Sequence, residues 1–467
     1  MVKGFCEDSV KITEKKNMLR LITLLITLLL TAPTFAAKLP AGPMLGHVAL
    51  RAANIWAQAP DAGTLGIEYW VHNDRDNSQK ISAQVDNNYG QSHIFKLSSL
   101  EPGTSYRYQL LFNGEVVNDG AIYQLTTQTL WQWRTDPPDF EIITGSCNFE
   151  NEGIYDRSGE PYGGQYEIFD QIATEEADMM LWLGDNWYYR EVDFDAEQSM
   201  LYRVLRHKSF PYLQPIFQKF ANYATWDDHD YGPDNSTKSF VFKEQALAIF
   251  KHFWANPSYG MPDNPGVYTK VSFNDVDFFL LDNRYYRDHE NKIDGADKAY
   301  YGTKQLNWLK NQLLTSKAPF KFIVGGGQML NNYHKYDGWD KYRYEREPFL
   351  QWLNDQKISG VMMLSGDKHH TELLRANRDG AYPLYELTCS PLTAGTHIDA
   401  LDSISKNPRL VDDTLVGERN YCKISFSGPR KDRRLEIKVL GVNGQEYWRK
   451  QIKSSVLSYS QVNTDAE

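Results

Sequence analysis

The 467-residue chain has little cysteine. Its four residues are too few to staple a fold from disulfides, and a chain this long can bury a large core without them. It has no excess of positive charge. Lys and Arg number 50 against 60 Asp and Glu, for a net charge of −10, which excludes non-specific nucleic-acid binding by a basic surface. It also lacks long apolar runs. The one that stands out, Leu21 to Leu30, falls well short of the roughly 20 residues that cross a bilayer, so a multi-pass membrane protein is excluded. There are no internal repeats and no low-complexity runs. Hydrophobic residues at 41% and charged residues at 24% are ordinary globular values, which exclude a collagen or a disordered tail. Aromatics are plentiful at 13%, with 29 Tyr and 12 Trp. That richness fits a β-rich fold or a carbohydrate-facing surface, and does not separate the two.

The apolar run has the layout of an address. Lys15, Lys16 and Arg20 precede it, and Thr34 and Ala36 place small residues at the spacing of a cleavage site. The expectation is a signal peptide over residues 1–37, an uncleaved anchor being the alternative. Met18 is a second candidate start. The protein is then expected to be exported, to a periplasm or the extracellular space, with no transmembrane segment once the leader is gone. Of the remaining cysteines, Cys389 and Cys422 could form a disulfide, but sequence does not show whether their Cα atoms approach within bonding range.

Residues 38–130 alternate in short runs between turn signals. Val48 to Ala52, Leu65 to Val71 and Ser105 to Phe112 read as strands, and Asn113-Gly114 as a hairpin turn. Leu100 to Tyr108 resembles the tyrosine-corner segment of fibronectin type III domains. The reading is an all-β sandwich, followed by a linker at Trp131 to Pro138. From 139 to 455 the pattern changes to apolar strands alternating with helical stretches. The strands are Phe140 to Thr144, Met179 to Leu183, Tyr223 to Trp226, Val276 to Leu281, Phe320 to Val324 and Val361 to Leu364. The helical patterns lie near 165–177, 242–255, 303–315 and 344–357. That alternation predicts an α/β layered domain.

Four of these strands end in polar clusters: Gly145-Ser146-Cys147-Asn148, Gly184-Asp185-Asn186-Trp187-Tyr188, Asp227-Asp228-His229-Asp230 and Gly366-Asp367-Lys368-His369-His370. Ligands bind open α/β sheets outside the carboxyl ends of strands. Carboxylates and imidazoles with one thiol and one phenol suit two metal ions of different hardness.

These motifs, in this order, resemble the alkaline phosphatase D (PhoD) family of calcineurin-like metallophosphoesterases. Leu281 to Arg287, Gly302 to Leu309 and Gly42 to Gly46 are weaker echoes. The resemblance covers nearly the whole chain after the leader. It implies a fibronectin type III-like sandwich followed by a metallophosphoesterase domain of two β-sheets flanked by helices. By motif, it implies Cys147 as thiolate ligand, Asp185 as bridging carboxylate and Tyr188 as phenolate ligand. Asp367 and His369 would be further ligands, with Asp228 where many relatives place an Asn. His229 would be the catalytic imidazole. Asn235 would be a ligand beyond that motif, although Asp234 could take its place. Arg284 is a candidate phosphate clamp.

The implied cofactors are ferric iron with calcium, zinc or other divalent ions remaining open. The implied activity is hydrolysis of phosphodiesters, with monoesters as a second class, by a hydroxide shared between two cations. The leaving oxygen would be protonated by His229. The alternatives are a phospholipase D-like or cell-wall phosphodiesterase on the same fold, and a non-catalytic surface-binding module. The partner in the enzymatic readings is a small phosphate ester, a phospholipid or a cell-wall polymer, with no specific nucleic-acid binding.

Overall fold

The computed structural model describes residues 37–333 and 336–459. Apart from Ala37, the leader expected at 1–37 lies outside the described residues. No helix among them is long and apolar enough to cross a membrane.

The chain folds as an N-terminal all-β region followed by an α/β region with two mixed sheets flanked by helices. The first region has strands β1 (Ala41–Val48), β2 (Ala53–Gln58), β3 (Gly63–Val71), β4 (Gln79–Val85), β5 (Ser92–Leu97), β6 (Ser105–Phe112), β7 (Glu115–Val116) and β8 (Tyr123–Thr126). They form a three-stranded sheet, β1-β2-β5, and a second sheet, β4-β3-β6-β7 with β8 on β6. Both bury one apolar set, including Ile55, Phe95, Ile67 and Leu110. The Asn113-Gly114 turn joins β6 to β7, with φ of 51° and 89° at its two central residues; both are positive, as the type I′ turn requires. The tyrosine corner forms: the Glu101 backbone N–H donates to Tyr106 Oη at 2.8 Å. One expected strand is wrong. Val48 to Ala52 is the end of β1 and the turn into β2, closed by the Ala49 N–H on Ala52 O at 2.8 Å. The true strand β1 precedes it and is disguised by Gly42, Pro43 and Gly46.

Strand β1 also packs on the α/β region. The His47 N–H donates to Ala255 O at 2.9 Å, and the Val48 N–H donates to Tyr223 Oη at 3.0 Å. Gly46 is needed for this approach, since a Cβ there would lie 2.3 Å from the Ala255 Cβ.

The α/β region contributes β9 (Phe140–Gly145), β10 (Met179–Leu183), β11 (Ala221–Thr225), β12 (Thr269–Phe273), β13 (Val276–Leu280), β14 (Phe320–Val324), β15 (Val361–Ser365), β16 (Glu372–Arg378), β17 (Ala381–Thr388), β18 (Asn420–Ser427), β19 (Arg434–Gly441) and β20 (Glu446–Lys453). One sheet runs β11-β10-β9-β18-β19-β20 and the other β12-β13-β14-β15-β17-β16. β9, β10 and β11 are mutually parallel, as are β13, β14, β15 and β17. Fully buried strands such as Met179–Leu183 and Phe320–Val324 have no polar face, as the interior of a parallel sheet requires. Helices Glu167–Thr174, Lys243–Phe253, Thr303–Thr315 and Arg343–Asp355 match the helical patterns of the sequence. Helix Glu197–Lys208 and strands β18–β20 do not correspond to any element read there. Cys389, just after β17, is disulfide-bonded to Cys422 in β18, so the bond ties one sheet to the other.

The contact between the two regions carries a pH dependence. The half-buried His47 ring lies 3.2 Å from Tyr223 Oη, and His252 stacks on Tyr89 with centroids 4.4 Å apart. Burial holds both imidazoles down to about 4. Below their ordinary value of about 6.5 the unfolded chain binds protons that the folded chain refuses. Stability should therefore be full above about pH 6.5 and fall progressively towards pH 4, by up to about 1.4 kcal/mol per pH unit per histidine. Urea denaturation at several pH values, compared with a His47→Gln/His252→Gln variant, checks this: the variant should show a shallower slope.

Candidate metal centre

The functional side chains follow the carboxyl ends of β9, β10, β11 and β15, where the two sheets face each other. Each chain turns sharply there. Cys147, Asp185, Asp367 and His369 have φ of 59°, 51°, 70° and 57°, and Asn235 has 57°. The left-handed region is unfavourable for residues other than glycine, at a cost of order 1–3 kcal/mol each. Such positions cluster where surrounding structure enforces a functional geometry. Two glycines make the crowding possible. Gly184 has φ of 91°, and a Cβ there would sit 2.9 Å from the Asp227 Cβ; a Cβ on Gly366 would sit 2.6 Å from Ser146 Oγ.

Two groups of donor atoms result. Cys147, Asp185 and His369 each offer an atom within 4.8 Å of the others, and so do Asp185, Asp228 and His229. Asp185 belongs to both. Its Oδ2 lies 3.6 Å from Cys147 Sγ and accepts from Tyr188 Oη at 3.2 Å, while its Oδ1 is buried with no partner among the described residues. Tyr188 Oη is also 3.5 Å from His369 Nε2. His369 Nδ1 donates to the Gly395 carbonyl, which fixes the tautomer and leaves the Nε2 lone pair aimed at the cluster.

Asp228 Oδ2 accepts from the Asn235 N–H at 2.6 Å, and its Oδ1 is buried without a hydrogen bond among the described residues. His229 stacks on Tyr188, centroids 4.1 Å apart, with its Nε2 3.8 Å from Asp234 Oδ1. Its side chain is 24% exposed, so it stands at the mouth.

The electrostatics point the same way. Burial pushes the Cys147 thiol up to about 11. Burial, with Cys147 and Asp228 nearby, raises the Asp185 carboxyl well above its ordinary value, and burial with Asp185 does the same to the Tyr188 phenol. Burial lowers the His369 imidazole from its ordinary value. Asp228 alone is held low: burial opposes its ionisation, but Arg284, His229 and the Asn235 N–H outweigh it. A thiol, a phenol and carboxyls that cannot all ionise in isolation, with two orphaned carboxylate oxygens, form a set completed by cations. The donors fit: a soft sulfur and a phenol on one side of Asp185, harder oxygens on the other.

The remaining expected residues fall around this core. Asp367 pairs with Lys368 Nζ at 2.6 Å and lies outside both groups. Asn235 is exposed and reaches the cluster through its backbone N–H. Arg284 is fully buried, with Nε on Asp227 Oδ1 and Nη2 on Asp337 Oδ2 at 2.9 Å and 3.7 Å from Asp228 Oδ1. It therefore grips carboxylates. Asp337, also held by Arg287, had no motif to mark it. Asp230, which burial raises to about 8, accepts from the Asn186 and Asp227 N–H groups at 2.9 Å and fixes two of the loops together.

Comparison with known proteins accords with this arrangement. The family model for PhoD-like phosphatases matches residues 146–429, well over half of the chain. The chain belongs to the PhoD-like phosphatase family. Residues 36–129 match a second family, described as a domain of unknown function. Alkaline phosphatase D of Bacillus subtilis (strain 168) is 23% identical over 318 residues, 58% of this chain and 52% of that protein. The chain thus spans about half the length of the curated relative it matches. A solved structure of PhoD superposes with a TM-score of 0.74 at 16% identity, covering 92% of each chain. The purple acid phosphatase PPD1 of yellow lupin seeds gives 0.62 at 12% identity, covering 90% of this chain and 74% of that one. At these identities the two structures bear on the fold alone.

Because Asp185 is common to both donor groups, Asp185→Ala should release at least half of the bound metal while leaving the far-UV circular dichroism unchanged. Elemental analysis of the purified variant beside the wild type is the check.

Proposed function

We propose that the protein is a metal-dependent phosphoesterase acting on phosphodiesters and monoesters. The observation that carries this is the sharing of Asp185 between a Cys147/His369 group and an Asp228/His229 group. In this reading Cys147, Asp185, Tyr188 and His369 hold one cation, with ferric iron the first candidate for a site of thiolate and phenolate. Asp185, Asp228 and His229 would hold a harder partner such as calcium, and Asp367 and Asn235 would join them only if their side chains turned from Lys368 and from solvent towards the cation. Cations bound there supply the positive charge that polarises the phosphate ester and acidifies the attacking water. The chain does the rest. The left-handed backbone at Cys147, Asp185 and His369 fixes the donors before substrate arrives, so little reorganisation is left for the reaction. Arg284 neutralises and orients Asp227 and Asp228 from the buried side.

His229 faces the mouth, its Nε2 3.8 Å from the exposed Asp234 carboxylate, and is placed to protonate the leaving oxygen. Its proximity to Asp185 and Asp228 supports a second role, as a metal ligand. The protein is further proposed to work outside the cytoplasm, since the Cys389–Cys422 bond is of a kind that cytosolic thiol pools keep reduced.

The purified protein should hydrolyse a chromogenic phosphodiester and its matching monoester and lose both activities on chelation. Absence of turnover with full metal occupancy would redirect the search to lipid or cell-wall diesters. His229→Ala should lower kcat about 10²–10⁴-fold. If that variant keeps its metal, the proton-donor role stands; if it loses metal in proportion to activity, the ligand role replaces it.

A further inference from the structure

The segment after β17 runs along the metal centre without supplying a ligand. Cys389 O accepts from Ser146 Oγ at 3.0 Å, and the Cys389 N–H donates to Ser365 O at 2.9 Å. The Leu392 N–H donates to Ser146 O at 2.8 Å and the Ala394 N–H to Cys147 O at 3.0 Å. This segment therefore bridges the ends of β9 and β15, one in each sheet. At its centre is Ser390, fully buried. Its Oγ accepts from the His369 backbone N–H at 2.9 Å, which leaves its own hydrogen free to donate to Cys147 Sγ, 3.1 Å away. One hydroxyl thus touches both the sulfur and the backbone of the imidazole in the first donor group.

Ser390 is held from behind by β18. Asn420 Nδ2 donates to Ser390 O at 3.1 Å, and the Asn420 N–H donates to Pro391 O at 3.0 Å. Two residues along the same strand, Cys422 is bonded covalently to Cys389, the immediate neighbour of Ser390. Cys389 and Cys422 are both fully buried. The disulfide is thus one peptide unit from the hydroxyl that contacts the Cys147 sulfur.

We propose that Ser390 is a positioning residue for the Cys147 sulfur and the His369 imidazole, and that the Cys389–Cys422 disulfide clamps it, so that metal retention depends on the oxidation state of that bond. The proposal rests on the reading of Cys147 and His369 as metal ligands. A hydrogen bond donated to a thiolate lowers the energy of its lone pairs and directs the sulfur towards its metal; groups of this kind typically change metal affinity 10- to 100-fold.

The test uses the full chain, stripped of metal and reloaded with cobalt(II). Cobalt supplies a sulfur-to-metal charge-transfer band that reports on Cys147 directly, and Cys147→Ser should abolish it. Ser390→Ala should shift the band to lower energy, because the sulfur loses its donor, and should release cobalt to a chelator about tenfold faster. Ser390→Thr, which keeps the hydroxyl, should restore both. A reading in which Ser390 merely fills space would leave the band in place, and that result overturns its role.

Reduction of the disulfide by a phosphine under native conditions, with thiols counted by alkylation, should speed cobalt release to a similar degree. The Cys389→Ala/Cys422→Ala variant should behave likewise. If the reduced protein holds cobalt as tightly as the oxidised one, the clamp is overturned. If the wild type shows no band at all, the ligand reading of Cys147 fails and the proposal with it. That failure is distinct from a normal wild type with an unresponsive Ser390→Ala.

Discussion

The fold is governed by one electrostatic constraint, the burial of groups of like charge where the two sheets meet. Asp185, Asp227, Asp228 and Asp230 all lie within the protein, beside a buried thiol and a buried phenol. A carboxylate removed from water in such company either finds positive charge or takes up a proton. The protein supplies part of that charge itself. Arg284 and Arg287 reach the cluster from the segment after the carboxyl end of β13, gripping Asp227 and Asp337, and Lys368 sits against Asp367. Among the described residues no cationic side chain is paired with Asp185, and none is a partner to its second oxygen. The imbalance is concentrated on the one carboxylate common to both donor groups.

The architecture around this point serves to hold it still. Loops from the first sheet lock to each other through the Asn148 N–H on Asp185 O at 2.9 Å and through Asp230. Loops from the second lock through the Gly366 N–H on Gly326 O at 2.7 Å. Contact between the sheets comes from Thr225 Oγ1, which donates to Leu281 O at 2.6 Å, and from the segment after β17 with its disulfide. Removing water and mobility from the centre strengthens every charge interaction within it.

How much of this was legible in the sequence depended on range. Cys147, Asp185, Asp228, His229, Asp367 and His369 stand within a few residues of an apolar strand, so a local motif marked each of them. The strand Met179–Leu183 was readable because full burial leaves an uninterrupted apolar run, and Phe320–Val324 because only Lys321 breaks one. β1 was not, because its glycines and proline mimic a loop while its close approach to Ala255 requires a small residue. β18 to β20 carry an alternating burial pattern, but their place in the first sheet depends on pairing Cys422 with Thr144, across more than half the chain. Ser390 and Asp337 were illegible for a related reason. Each acts through partners distant in sequence, and neither residue type is unusual in a loop. Arg284 was visible as a cation near a strand end, but only the buried Asp227 and Asp337 beside it reveal that it faces the protein.

The left-handed backbone at the donor positions also limits how such a centre can change over evolution. Among residues with a side chain, Asp, Asn and His tolerate that conformation best. Asp185, Asp367, His369 and Asn235 are drawn from that short list, and Cys147 is the exception. Exchange within the list alters the charge and hardness of the site while the chain path survives. Exchange for a β-branched or bulky residue breaks the loop before it changes the chemistry. Cys147 is held in the left-handed region by its surroundings rather than by its own preference, so the sulfur is the donor whose placement depends most on the loops packed around it.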